Sequence, residues 1–214
     1  MRTLVVFGAT GKTGLEVTGR AAAEGWAVRA FCRPGSALRI AAAGVERVEG
    51  FLDSPEDVRR ALRGSEATVI VFGHRRGAGS SEVPFCARGT RAVIDGMKDL
   101  GLRRLICQTG AMVGADYPNR GSFYEGLRKK YAAASPALAS DRDEQERTVI
   151  GSGLDWTVVK PPRISEGRGK GRWKAAPDLR LGLLSAIPVS DLVAFIVREI
   201  DAKEHVRRCV FVSA

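Results

Sequence analysis

The sequence predicts a doubly wound α/β fold, in which a parallel sheet lies between two layers of helices. Apolar runs of strand length alternate with segments of helical periodicity, and repeated β-α-β units produce a parallel sheet. The run Ala67–Phe72 is almost entirely apolar, which is typical of a strand covered on both faces. A glycine-rich turn directly follows the first apolar run. We therefore expect three α/β/α layers in one domain spanning residues 1–214.

The strands and helices follow one another in a regular order. Ser54, Pro55 and two acidic residues predict the start of a helix, since serine caps helices and proline suits their first turn. The predicted strands are Thr3–Phe7, Ala27–Cys32, Val45–Glu49, Ala67–Phe72, Arg104–Gln108, Asp155–Lys160 and Arg208–Val212. The predicted helices are Thr13–Glu24, Ser36–Ala43, Ser54–Arg63, a long helix that carries Thr90, Val93, Ile94, Met97 and Leu100, Asp143–Ile150 and Val189–Ile200.

The turn after the first strand has the spacing of a dinucleotide site. Gly8, Gly11 and Gly14 stand between a strand and a helix start. In a Rossmann-type sheet such glycines make the tight turn, let the backbone approach the pyrophosphate and let the helix pack on the strand. The helix N-terminus offers free N–H groups to phosphate. We therefore predict a dinucleotide cofactor here rather than a purely structural turn.

The residues after the second strand indicate which dinucleotide binds. NAD-binding chains carry an acidic residue about twenty positions after the glycines, whereas this chain has Arg33, with Ser36 nearby. A guanidinium binds phosphate oxygens through paired hydrogen bonds. The pattern favours NADP(H), with an ordinary surface arginine as the alternative.

Composition excludes several classes of protein. The 214 residues carry a formal net charge of +10 and include four cysteines without the spacing of a metal site or a disulfide framework. The chain shows no signal-peptide pattern and no apolar run of membrane length. We expect a cytoplasmic protein without a metal and without membrane or nucleic-acid partners, either a monomer or a homodimer.

Basic residues crowd one part of the chain. We interpret most of them as a solvated surface, with an anion-binding cleft as the alternative. This stretch contains Lys160, Arg163, Arg168, Lys170, Arg172, Lys174 and Arg180. A second basic group, His74-Arg75-Arg76, lies in a glycine-rich loop after the fourth strand, where the cations could reach a pyrophosphate or an acidic substrate. His74 is a possible proton donor there, although a solvated histidine is the more ordinary interpretation.

The motifs together resemble those of the atypical short-chain dehydrogenase/reductases. The glycine turn, Gly50–Asp53 after the third strand, and Ser152–Thr157 leading to Val159–Arg163 are similar to the NmrA-like NAD(P)-binding group that includes flavin/biliverdin-IXβ reductase. The resemblance covers nearly the whole chain.

The resemblance implies a set of cofactor contacts. Gly8, Thr10, Gly11, Lys12, Thr13 and Gly14 would surround the pyrophosphate, and Arg33 and Ser36 the 2′-phosphate. Phe51 and Leu52 would flank the adenine, and Phe72, Gly73 and Arg75 would cover the ribose and phosphates. Thr109 and Gly110 would lie beneath the nicotinamide, and Pro161, Pro162, Arg163 and Ile164 would border its carboxamide.

The chain departs from the superfamily at the proton donor. The Tyr-x-x-x-Lys pair is missing, because the positions four residues after Tyr117, Tyr124 and Tyr131 are glycine, arginine and serine. Thr109 is a weak catalytic candidate, and a threonine bonded to backbone is the favoured interpretation. The variable segment around 114–140 forms either a substrate lid or an amphipathic helix packed on the sheet edge or a second subunit.

Two functions follow from this resemblance. The first is an NADPH-dependent reductase that transfers hydride to an aromatic, anionic acceptor such as a flavin, a quinone or a tetrapyrrole. The alternative is an NADP(H)-binding sensor or regulatory protein without turnover. An isomerase or epimerase is disfavoured, because sugar epimerases of this superfamily depend on the missing tyrosine.

Overall fold

The computed structural model describes residues 2–37, 42–73, 85–114 and 117–214. Its strands are β1 (Thr3–Phe7), β2 (Ala27–Cys32), β3 (Val45–Glu49), β4 (Ala67–Ile70), β5 (Arg104–Gln108), β6 (Asp155–Lys160), β7 (Arg163–Ser165), β8 (Lys174–Ala176), β9 (Ala186–Pro188) and β10 (Arg208–Ser213). Its α-helices are α1 (Lys12–Ala23), α2 (Pro55–Leu62), α3 (Phe85–Asp99), α4 (Gly121–Ala134), α5 (Pro136–Ile150) and α6 (Val189–Ala202). A short 3₁₀ turn, Pro118–Arg120, precedes α4.

Eight strands form one sheet in the order β3-β2-β1-β4-β5-β6-β10-β8. Neighbouring strands run parallel except for β10 and β8, which are antiparallel. The order reverses between β1 and β4, and ligands of such sheets bind at the carboxyl ends of the strands beside this reversal. The predicted doubly wound Rossmann-type fold is confirmed. A separate parallel pair of β7 and β9 lies outside the sheet.

Each face of the sheet has its own apolar core. On one face α1 and α6 pack together, with Val17 and Ile196 fully buried. On the other face α2, α3 and α5 cover the sheet, with Leu62 and Met97 fully buried. The two layers of helices bury both faces of β1, β4, β5 and β6, so these strands are apolar throughout much of their length. Among the residues that the structure describes, no helix is long and apolar enough to cross a membrane.

Local signals explain where helices begin. The hydroxyl of Ser54 accepts a hydrogen bond from Asp57 N, and Pro55 occupies the first turn of α2, as predicted. The predicted strand Ala67–Phe72 is shorter, because pairing with β5 ends at Ile70. The predicted helix Ser36–Ala43 falls partly outside the described residues, and its described ends are not helical.

Candidate functional site

The glycine turn after β1 is too narrow for side chains at two positions. Gly8 has φ 92°, and a Cβ atom there would lie 2.6 Å from the backbone nitrogen of Phe72. A Cβ atom at Gly14 would lie 2.1 Å from the carbonyl oxygen of Gly8. These distances are below any real Cβ contact. The two glycines therefore let β1, α1 and the end of β4 approach one another closely.

The N-terminus of α1 faces the end of β1 without a side-chain cap. Gly11 is the N-cap residue, and the first turn contains no acidic residue. Backbone N–H groups at such a helix start, together with the helix dipole, favour an anion. Thr10 and Lys12 are exposed beside this turn, whereas Thr13 is buried. The turn thus fits a pyrophosphate, and Lys12 Nζ pairs with Glu166 Oε1 across 2.9 Å at its outer edge.

Arg33 lies directly after β2, on the same edge of the sheet as the glycine turn. Its side chain is exposed and forms no ion pair with another described residue. Ser36 N donates to the carbonyl oxygen of Arg33 across 3.0 Å, which closes a turn here. The guanidinium is therefore available to an anion at the end of β2.

The segment after β3 is held in place by α2. The carboxylate of Asp57 accepts a hydrogen bond from Phe51 N at 3.0 Å, and this bond is the main reason why the pKa of Asp57 lies below its usual range. Phe51 is 51% exposed, which is unusual for a phenylalanine. Leu52 packs towards α3, where its Cδ1 would lie 3.0 Å from a Cβ atom at Gly89.

A cavity of about 650 Å³ opens at the carboxyl ends of β5 and β6. Most of its surface is apolar or aromatic. Its lining residues are Gln108, Thr109, Gly110, Ala111, Met112, Val113, Phe123, Tyr124, Leu127, Tyr131, Arg142, Pro161, Pro162, Arg163, Ile164, Leu183 and Ser185. The structure therefore brings together all six residues that were expected around the nicotinamide.

Helix α4 forms one wall of this cavity and packs against α5. Tyr124 is buried and its hydroxyl donates to the carbonyl oxygen of Ser185 at 3.1 Å. Tyr131 is half-buried, and its hydroxyl makes no hydrogen bond with another residue in the described ranges. Burial raises the pKa of the Tyr131 phenol, although the charge of Arg142 opposes this shift. The predicted helical spacing of this segment is confirmed, whereas an opening lid stays a prediction.

Arg142 of α5 joins the ends of two central strands. Its guanidinium donates to the carbonyl oxygen of Phe72 after β4 at 3.2 Å and to that of Thr109 after β5 at 2.7 Å. Gly73 lies beside the same guanidinium. His74 and Arg75, which were expected near the cofactor, lie outside the described residues. Arg142 was not among the predicted site residues, because nothing in the neighbouring sequence marks an inward-facing arginine.

A buried polar cluster lies behind the cavity floor. Thr109 Oγ1 donates to Glu146 Oε2 at 2.8 Å, and Lys160 Nζ lies 2.5 Å from the same oxygen. Tyr117 OH donates to Glu146 Oε1 at 2.7 Å. Lys160 Nζ also donates to the carbonyl oxygen of Val113 at 2.7 Å. Glu146 therefore holds three donors from separate parts of the chain.

The cluster corrects two interpretations of the sequence. Thr109 is not bonded to backbone through its hydroxyl, because Glu146 accepts that proton. Lys160 is not part of a solvated basic surface, since it is completely buried. Burial lowers the pKa of Lys160, while Glu146 opposes that shift. Burial and the Glu146 charge raise the pKa of Tyr117.

The other residues of the basic stretch behave as a surface. Their shared feature is an exposed side chain, and they are Arg163, Arg168, Lys170, Arg172, Lys174 and Arg180. The backbone between them is anchored, because Asp191 accepts hydrogen bonds from Lys170 N and Gly171 N. Arg163 alone of this group also lines the cavity.

The cysteines form no disulfides, and two of the potential metal ligands form ion pairs. All four cysteines are free thiols, and Cys209 is half-buried rather than fully buried. In the described part of the chain, Glu199, Glu204 and His205 bring ligand atoms within 4.8 Å of one another. Arg104 already pairs with Glu199, and Arg198 pairs with Glu204. These carboxylates therefore act in ion pairs.

The parallel sheet, the glycine turn and the uncapped helix define a dinucleotide-binding protein of the Rossmann type. Residues 8–203 match the sequence profile of the family described as NAD(P)H-binding. The chain belongs to this family, and NAD(P)H is its cofactor. The expected membership of an NAD(P)-binding family is confirmed.

Similar proteins carry several activities on this scaffold. The chain is 27% identical over 172 residues to an uncharacterized sugar epimerase, YhfK, of Bacillus subtilis, which covers 79% of this chain and 73% of the relative. The fold matches a short-chain dehydrogenase/reductase from Veillonella parvula in complex with NADP, with a TM-score of 0.80, 14% identity and coverage of 100% and 94% of the two chains. It also matches ChuY, an anaerobillin reductase from Escherichia coli O157:H7, with a TM-score of 0.77, 20% identity and coverage of 99% and 96%.

Proposed function

We propose that this chain is an NADPH-dependent reductase that transfers hydride to an aromatic, anionic acceptor such as a flavin, a quinone or a tetrapyrrole. The observation that carries the proposal is the cavity of about 650 Å³ at the carboxyl ends of β5 and β6, on the edge of the sheet that also carries the glycine turn. Ligand pockets generally have this size and combine an apolar lining with a few polar groups. Ligands of such sheets bind at the carboxyl ends of the strands, so a substrate in this cavity would lie next to the nicotinamide of the cofactor.

The lining of the cavity suits a flat, charged acceptor. Phe123, Tyr124 and Tyr131 supply aromatic surface from one side of α4. Arg163, which is exposed, also lines the cavity and supplies a guanidinium, and guanidinium groups pair with carboxylates and phosphates. An aromatic ring inside the cavity with its anionic substituent towards Arg163 would satisfy both features.

The cofactor would occupy the crevice along the ends of β1 to β4. Bound NADPH supplies the hydride. Arg33 would bind the 2′-phosphate, Lys12 the pyrophosphate, and Phe51 would cover the adenine. The uncapped N-terminus of α1 and the exposure of Arg33 and Phe51 support this arrangement.

Tyr131 is the proposed proton donor. Reduction of an aromatic acceptor by hydride leaves an anion that takes up a proton. Two tyrosines line the cavity wall. The hydroxyl of Tyr124 donates its proton to the carbonyl oxygen of Ser185, whereas the hydroxyl of Tyr131 donates to no other described residue. A tyrosine with its ordinary pKa of about 10 is protonated at neutral pH, and burial raises the pKa of Tyr131 further, so the phenol carries the proton that a general acid must donate.

The first experiment combines turnover with binding. NADPH absorbance is followed at steady state with FMN, a quinone and biliverdin, and NADPH and NADH are titrated in parallel. Turnover with tighter NADPH binding is the expected result. Tight binding without turnover by any acceptor would overturn the reductase and favour the sensor, whereas no binding would contradict the cofactor site.

A further inference from the structure

Thr109, in the floor of the cavity, has a hydroxyl group whose proton already forms a hydrogen bond with Glu146. Thr109 lines the cavity and is buried, with a residue exposure of 7%. Its Oγ1 lies 2.8 Å from Glu146 Oε2. The remaining members of the cluster, Glu146, Lys160 and Tyr117, lie behind the floor rather than in its lining.

The direction of the Thr109 hydrogen bond follows from counting protons. An ionised carboxylate only accepts, an ammonium only donates, and a hydroxyl has a single proton. Lys160 Nζ is 2.5 Å from Glu146 Oε2, so the pair is held as a carboxylate and an ammonium. Thr109 therefore donates its proton to Glu146. Within the described residues no donor bonds to the lone pairs of Thr109 Oγ1, and Thr109 is one of the residues that line the cavity.

We propose that Thr109 is a specificity-determining residue that accepts a hydrogen bond from an amide or imide N–H of a bound ligand. The proposal rests on the proposed function, since it concerns the same cavity. A carbonyl oxygen or an anion at this point would face the lone pairs of Oγ1 and be rejected. An N–H group would find an acceptor whose orientation is fixed by Glu146.

Two ligands of the site carry such an N–H. One is the carboxamide of the cofactor, and the other is the ring imide or lactam of a flavin or tetrapyrrole. Quinones carry no N–H, so they would gain nothing from Thr109. If the acceptor rather than the cofactor makes this contact, the preferred acceptors are nitrogen heterocycles such as flavins and tetrapyrroles.

The test compares probes that differ in this N–H, in the wild type and two variants. Thr109→Val keeps the volume and removes the acceptor, whereas Thr109→Ser keeps the hydroxyl. In the cofactor arm, calorimetry compares NADPH with its 3-acetylpyridine analogue, which has no amide N–H. In the acceptor arm, kcat/KM is compared for lumiflavin and 3-methyllumiflavin. The measured quantity is the ratio of kcat/KM for lumiflavin to kcat/KM for 3-methyllumiflavin. The steric effect of the methyl group cancels when this ratio is compared between the wild type and Thr109→Val, because valine has the shape of threonine.

The wild type and Thr109→Ser should prefer the N–H probe in one arm by about two- to tenfold, as expected for one neutral hydrogen bond. Thr109→Val should lose that preference in the same arm. An unchanged preference in Thr109→Val in both arms, or none in the wild type, would overturn the proposal. If Thr109→Val does not fold, Thr109→Ala replaces it in the cofactor arm. Absence of turnover contradicts the reductase but leaves the cofactor arm readable.

Discussion

Lys160 and Glu146 form an ion pair of 2.5 Å that is sealed behind the cavity floor. Breaking such a pair by removing one partner leaves an uncompensated buried charge. We expect Lys160→Met to lower the free energy of unfolding by about 3–5 kcal/mol. The double variant Lys160→Met/Glu146→Gln removes both charges and should recover more than half of that loss. Urea unfolding measures both, and equal losses in the two variants would show that the charge is not the cause.

Arg33 should decide between the two nicotinamide cofactors. Arg33→Asp replaces the guanidinium with a charge that repels a 2′-phosphate, so NADPH affinity should fall about 10- to 100-fold, the range of a lost charge-assisted hydrogen bond. NADH affinity should change little. Lys98→Asp is the matched control, because this exposed lysine lies in the last turn of α3, at the opposite edge of the sheet. An unchanged NADPH preference in Arg33→Asp would contradict the 2′-phosphate assignment.

Tyr131 and Tyr124 line the same wall but differ in their hydrogen bonds. Tyr131→Phe should lower kcat about 100-fold with an acceptor that needs a proton, which is the lower range for general acid catalysis. NADPH affinity should stay unchanged. Tyr124→Phe loses only its bond to Ser185 and should keep most of its kcat. Similar rates in the two variants would rule out Tyr131 as the donor.

Gly14 and Gly19 lie on the same helix with different surroundings. A Cβ atom at Gly14 would meet Gly8 O at 2.1 Å, whereas one at Gly19 would meet nothing within 4 Å. Gly14→Ala should destabilise the fold by about 1–3 kcal/mol through overpacking and weaken NADPH binding. Gly19→Ala should stabilise it by about 0.5–1 kcal/mol, since alanine favours helix. Thermal unfolding compares them, and a neutral Gly14→Ala would mean that α1 can move away from β1.

Asp57 should make the free energy of unfolding decrease at acidic pH. Its bond to Phe51 N lowers its pKa, so its contribution is complete above about pH 4, the ordinary aspartate pKa, and is lost as pH falls through the folded-state pKa. Asp57→Asn should flatten this acid decline. Urea unfolding from pH 6 to pH 3 measures the effect. Parallel pH profiles of wild type and variant would contradict it.

The sequence predicted the bounds of most strands in the main sheet. Strands β1, β2, β3, β5 and β6 begin and end at the predicted residues. Strands β1, β2, β5 and β6 are mostly apolar, which is typical of parallel strands that are covered on both faces. The short strands β7, β8 and β9 were not predicted, because three residues carry too little periodicity to be recognised.

The sequence predicted residues at the carboxyl ends of the strands, six of which line the cavity, but it did not predict the buried polar cluster behind the cavity floor. Local motifs such as Gly8–Gly14 carry their own geometry, so their place in the sheet followed from the sequence. Lys160 and Arg142 were missed or misassigned, because their partners come from distant parts of the chain. Lys160 was grouped with charged neighbours in sequence, yet its environment is set by Glu146 on α5 and Tyr117 before α4.

The guanidinium of Arg142 connects the chain after β4, in the proposed cofactor crevice, with the chain after β5, in the proposed acceptor cavity. One rigid planar group holds the carbonyl oxygens of Phe72 and Thr109, so neither strand end can move away from α5 without disturbing the same group. We therefore expect that a ligand that shifts one strand end changes the free energy of binding of the other ligand. Linkage makes that effect mutual: whatever the cofactor does to acceptor affinity, the acceptor does to cofactor affinity by the same factor.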